Sequence, residues 1–165
     1  MIILEVPQAR QKDLFDMKAT RRQAREWAVQ MLTAIDLNPP ENITSFIMNF
    51  WEMMDSVDEK ECGSNRVSSK LKAFAEERVV GVEEHKSEID EILKTLLDHW
   101  DLYRLGTVER AVLRMGIWEM KYSDVPGPVV INEAIDVANW FSSPNTRKII
   151  NGVLDKFAKS QTAAK

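Results

Sequence analysis

Three observations predict an all-α fold for this 165-residue chain. Apolar residues recur at i, i+3, i+4 and i+7 in segment after segment, the period of a helix with one buried face. No run of four or more residues alternates apolar and polar in the manner of a half-buried strand. Most of the six prolines stand between periodic segments, where they act as stops.

The elements follow in order. Ala24, Trp27, Ala28, Met31, Leu32 and Ile35 form a first stripe, ended by Asn38-Pro39-Pro40. Ile43, Phe46, Ile47, Phe50, Trp51 and Met54 form a second. The polar stretch Asp55 to Arg66, with Gly63, reads as an acidic loop. Ser68 or Ser69 is suited to cap a third helix that carries Leu71, Phe74, Ala75 and Val79 and is expected to end near Gly81. Ile89, Ile92, Leu93, Leu96, Leu97 and Trp100 make a fourth stripe, closed by Gly106. Thr107 is the expected N-cap of a fifth helix that runs to about Tyr122 and is stopped by Pro126-Gly127-Pro128. A sixth runs from Val129 to about Phe141. A seventh runs from Thr146 to about Lys159 and carries Ile149, Ile150, Val153, Leu154 and Phe157. The fifth is apolar nearly all round, the mark of a helix at the centre of a bundle. Its basic stripe, Arg110, Arg114 and Lys121, is the part expected to reach water.

Length allows one domain, or two small subdomains sharing a core. The single cysteine, Cys62, excludes an internal disulfide framework, and with only His85 and His99 beside it there is little to build a transition-metal site. No apolar run approaches the ~20 residues of a membrane span, and the opening residues do not form a signal peptide. A cytoplasmic protein is expected. The net charge of -4 conceals sorting: residues 76–101 are strongly acidic, whereas Lys18 to Arg25 and residues 102–165 lean basic. Polyanions would be repelled by the middle of the chain and accepted at its ends.

Catalysis finds no support. Neither histidine lies in a nucleophile motif, Cys62 sits among acids that would raise its pKa, and there is no phosphate-binding glycine loop and no HExxH. The chain is not expected to be an enzyme or to need a cofactor.

Binding chemistry is more legible. In Thr20-Arg21-Arg22-Gln23-Ala24-Arg25-Glu26, at about 100° per residue, Arg25 falls about 40° and Arg22 about 100° from Arg21, beside the apolar stripe. Guanidiniums present paired donors to phosphate and stack on bases, which suits single-stranded RNA. The alternative is a solvated face, or pairing with the chain's own acidic middle; cations at a helix N-terminus oppose the macrodipole, which favours a functional reason. Asn132 and Asn151 interrupt helical patterns and are expected to make specific hydrogen bonds. Glu119, on the apolar fifth helix, calls for an arginine partner. Glu109 in the first turn complements the dipole or meets a partner. Trp27, Trp51, Trp100 and Trp118 are assigned to the core, and Trp140 lies off its stripe.

Two stretches together resemble one family. TRRQAREWAVQML, Thr20 to Leu32, is similar to the arginine-rich first helix of the NusB antitermination factors. Leu105-Gly106-Thr107-Val108-Glu109-Arg110-Ala111-Val112-Leu113-Arg114, Val129-Val130-Ile131-Asn132-Glu133-Ala134-Ile135 and Asn151-Gly152-Val153-Leu154-Asp155-Lys156 resemble that family's C-terminal half. The resemblance implies two small helical subdomains, three helices then four, at about 18–85 and 86–160, between an extension 1–17 and a tail 161–165. It implies no catalysis. It implies binding of boxA RNA together with NusE, a small-subunit ribosomal protein, within the antitermination complex on RNA polymerase, notably in ribosomal RNA operons. Carried over by motif, Arg21, Arg22 and Arg25 face RNA, as do Asn145, Lys148 and Ile149 around the start of the last helix, while Glu109 faces the protein partner. Gln23, Thr33 and Ser142 depart from the family pattern, which often has a basic residue, a Tyr and a Gly there. A helical interaction domain without RNA binding is the competing reading, and whether the free protein is a monomer or a homodimer stays open.

Overall fold

A computed structural model describes residues 20–61, 67–98 and 100–164, without the side chains of 58–61. The extension 1–17, Cys62 and His99 lie outside the described residues. Within them there are seven α-helices and no strand: α1 (Arg21–Leu37), α2 (Ile43–Glu61), α3 (Ser69–Glu84), α4 (Lys86–Leu96), α5 (Thr107–Tyr122), α6 (Gly127–Ala138) and α7 (Pro144–Ala163). A 3-10 turn, Leu102–Arg104, links α4 to α5.

The Thr20 hydroxyl starts α1 by accepting the Gln23 N–H at 3.4 Å. Six consecutive residues, Ala24 to Val29, are then buried, because α1 is packed against α3, α5 and α6 rather than against one neighbour. The next helix joins through Trp51, whose ring meets Trp27 edge-on at 5.6 Å while its indole N–H donates to Glu76 of α3 at 2.8 Å. The stretch expected as a loop from Asp55 is helical as far as Glu61. Nothing before Gly63 breaks a helix, and Lys72 reaches across from α3 to Asp55 at 2.9 Å.

Ser68 caps α3 through the Leu71 N–H, and the helix continues through Gly81 instead of ending there. That glycine answers a packing demand: a Cβ on it would sit 2.2 Å from Trp118 Nε1 and 2.6 Å from Cζ2. The chain turns at His85 and enters α4 at once. Trp100, expected in the core, is 55% exposed. The helix stops at Leu96, and the buried Leu102 and Leu105 anchor the connection, so Trp100 falls on the outer side of the bend.

The centre of the bundle is α5, buried without a break from Ala111 to Glu119 and in contact with α1, α3, α4, α6 and α7. Its N-cap is Gly106 rather than Thr107. The expected wet stripe is not wet: Arg114 is 3% exposed and Arg110 is largely covered. Asp36 of α1 and Asp90 of α4 supply the reason, for Arg110 donates to Asp36 at 2.9 and 3.1 Å, and Arg114 grips Asp90 at 2.8 and 3.1 Å with Asp36 3.2 Å away. Only Lys121 of the three is exposed, and it pairs with Glu88.

Pro126 leads into α6, and Ser143 caps α7 by accepting the Thr146 N–H. Asn132 and Asn151 do not pin the structure. Both are exposed, and neither side chain makes a hydrogen bond among the described residues. An exposed amide is open to solvent and needs no protein partner, so helix propensity alone was a poor guide. One continuous apolar cluster joins residues of all seven helices.

Candidate functional site

Two cations stand at the exposed start of α1. Arg21 and Arg22 are both solvent-accessible, and Arg21 lies with its guanidinium 5.6 Å from the centre of the Phe74 ring. Arg22 reaches to α6, donating from Nε and Nη2 to the two oxygens of Glu133 at 3.0 and 3.1 Å, with Asp136 2.8 Å from Nη2. That fork-to-fork hydrogen bond, with the charge it carries, holds Glu133 below the usual carboxylate range and Arg22 above its own.

Arg25, one turn further in, does not share that surface. It is 4% exposed and donates to Glu119 of α5 three times, at 2.9, 3.2 and 2.8 Å. Arg78 of α3 donates to the same carboxylate at 2.9 Å. Glu119 therefore has not one arginine partner but two, and the triad lies over Phe74, with Arg78 3.4 Å and Arg25 5.1 Å from the ring centre. Burial lowers the pKa of Arg78, and the Glu119 charge opposes that shift only in part. The wheel places Arg25 beside the buried stripe; three neighbouring helices widen that buried arc until it includes Arg25. Arg25, expected to face RNA beside Arg21 and Arg22, is thus buried instead of standing on their surface. Thr33, the second departure, is also buried and reaches no surface.

The start of α7 keeps Asn145 and Lys148 exposed and Ile149 half-buried against the core. No hydrogen bond or ion pair joins Asn145 or Lys148 to the arginines of α1. Glu109, half-buried, leans back over Gly106, where an added Cβ would come within 2.0 Å of its Oε2, and it accepts a hydrogen bond from the Ser142 hydroxyl at 2.9 Å. Ser142, read from sequence only as a missing glycine, thus ties the α6–α7 turn to the first turn of α5. Near this end of α5 the exposed Tyr103 lies under Arg110 at 5.1 Å. Sequence reasoning missed Glu133 and Asp136; their i, i+3 spacing is visible in the chain, but nothing local says that an arginine more than a hundred residues away will meet them. Among the described residues no group of three His, Cys, Asp or Glu is placed to hold a metal ion.

Fold and site together define an all-helical bundle, built round one central helix and presenting charged side chains at the starts of α1 and α7. The NusB family model matches residues 22–159, and the chain belongs to that family. Transcription antitermination protein NusB of a Nitratiruptor species is 41% identical over 86% of this chain and 93% of its own length. That of Wolinella succinogenes is 39% identical over 83% and 93%. Among solved structures, T. maritima NusB superposes with a TM-score of 0.72 at 29% identity, covering 87% of this chain and 93% of that one. A crystal structure of antitermination factors NusB and NusE in complex with dsRNA gives 0.70 at 27% identity, covering 85% and 96%.

Proposed function

We propose that this chain is an RNA-binding transcription antitermination factor that engages boxA RNA together with NusE in the cytoplasm and helps RNA polymerase pass terminators, notably in ribosomal RNA operons. The observation that carries the reading is the pair Arg21 and Arg22. Two guanidiniums stand exposed at the positive end of a helix, where the dipole disfavours cations and attracts a polyanion. The similarity to a NusB found with NusE and RNA supports the same assignment. Arg21 and Arg22 contact phosphate. Asn145, Lys148 and the exposed edge of Ile149 form a second contact region. Glu109, held by Ser142, meets NusE, and Arg25 serves the fold.

Electrophoretic titration of a boxA RNA oligonucleotide, with and without NusE, tests this. Arg21→Ala and Arg22→Ala should each weaken binding and flatten the log–log salt dependence by about one unit. Wild-type protein that fails to bind in both conditions would overturn the reading and leave the second one, a helical interaction domain without RNA binding. The capture of Arg22 by two carboxylates is the observation that favours that second reading.

A further inference from the structure

We propose that Glu133 and Asp136 act as an internal phosphate mimic, a carboxylate latch that competes with RNA for Arg22 and lowers the RNA affinity of the free protein. This rests on the reading that Arg22 contacts RNA. The geometry carries it: the two parallel N–H···O bonds from Nε and Nη2 to Glu133 are the arrangement by which a guanidinium holds a phosphate. Asp136, 2.8 Å from Nη2, takes the place of a second anionic oxygen. An RNA phosphate can reach the same edge of Arg22 only by displacing them, and two negative charges at that spot repel it until Arg22 has swung away.

The latch is built to open. The Arg22 side chain is 44% exposed and Asp136 39%, so water and salt screen the outer contact. Glu133 is more enclosed, at 18%, but it is not stranded when Arg22 leaves, because Nη1 of the buried Arg25 stays 3.9 Å from it. Arg25 thus contributes to the fold through Glu119 and offers Glu133 a second cation, which keeps the cost of release low. A helix N-terminus with exposed cations and no such partners would bind any polyanion; the latch requires a ligand able to replace both carboxylates at once.

The test uses the full chain and four proteins: wild type, Asp136→Asn, Arg22→Ala and the double variant, each titrated with the boxA oligonucleotide at two salt concentrations. Asp136→Asn is isosteric and half-exposed, and circular dichroism and the thermal midpoint check that it folds. It should bind RNA about 1.5–5-fold more tightly, the range expected for releasing one exposed ion pair. In the Arg22→Ala background the same substitution should bring no gain, since the competitor then has nothing to hold. An equal gain in both backgrounds would mean that removal of any nearby negative charge suffices, and the latch is overturned. Weaker or unaltered binding by Asp136→Asn, with Arg22→Ala still weakened, would mean that the carboxylates position Arg22 for RNA or leave it indifferent, and overturns it equally. If Arg22→Ala binds like wild type, the RNA contact itself fails and the latch with it, an outcome told apart by the variant in which it appears.

Discussion

Glu119→Gln removes the charge at a carboxylate shared by two buried guanidiniums. The side chains of Arg25, Arg78 and Glu119 are 5%, 3% and 2% exposed, so water cannot replace what is lost. The variant leaves two like charges facing a neutral amide. Arg25 has Glu133 as a fallback at 3.9 Å and Arg78 has Glu77 at 3.5 Å, but Glu77 is 65% exposed and a weak substitute. Breaking a buried pair by deleting one partner costs about 3–5 kcal/mol. At about 2–4 °C per kcal/mol for a chain of this size, the thermal midpoint should fall by about 6–20 °C. Arg25→Met should cost less, because Glu119 keeps Arg78 and the buried set becomes neutral overall. Urea unfolding monitored by circular dichroism measures both, with the slope m unchanged if the native state stays compact. A loss below about 1 kcal/mol for Glu119→Gln, in the range of surface pairs, or a larger loss for Arg25→Met, would refute the reasoning.

Gly81→Ala should cost about 1–3 kcal/mol, since its Cβ would overlap the Trp118 indole and force α3 from α5; differential scanning calorimetry measures it, and a neutral effect would mean the ring moves freely. Burial pushes the Asp36 carboxyl up and the hydrogen bonds and charges of Arg110 and Arg114 more than reverse it, so Asp36, like Glu133, has a folded pKa below the unfolded one. Their contribution is therefore complete above about pH 5 and lost as pH falls through the folded values. Burial leaves Glu83 raised, which works in the opposite direction. Acid titration of the thermal midpoint should show a decline below about pH 4 that is shallower in Asp36→Asn, and an unaltered slope would contradict the assignment. Glu109→Ala should weaken NusE binding in a pull-down or calorimetric titration with a stability loss of about 0.3–1 kcal/mol; a lowered midpoint with unaltered NusE affinity would leave Glu109 a purely local role.

How much was legible in the sequence depends on the range over which each cause acts. Seven helices among the described residues, the stop at Pro39-Pro40, the cap at Ser68 and the burial of α5 all follow from spacing within a few residues, and all are present. Errors arose where local signals compete with packing. Gly81 reads as a helix end, yet Trp118 needs its missing side chain in mid-helix. Trp100 continues an apolar stripe, yet its helix stops four residues earlier and leaves it outside.

The same division runs through the candidate site. By itself the chain determined that a cluster of arginines opens the first helix, that Glu119 must find a cation, and that an acid stands in the first turn of α5, because composition and a 3.6-residue period settle which types share a face. Only the tertiary structure decided which arginine meets which acid. A helical wheel sets Arg21, Arg22 and Arg25 beside the apolar stripe without naming their partners, but α3, α5 and α6 close on α1 so that Arg25 is sealed against Glu119 while Arg22 is held at the rim by Glu133 and Asp136. Such pairings span 94 and 111 residues, and electrostatic partners at that separation are chosen by how helices pack, which no local pattern encodes.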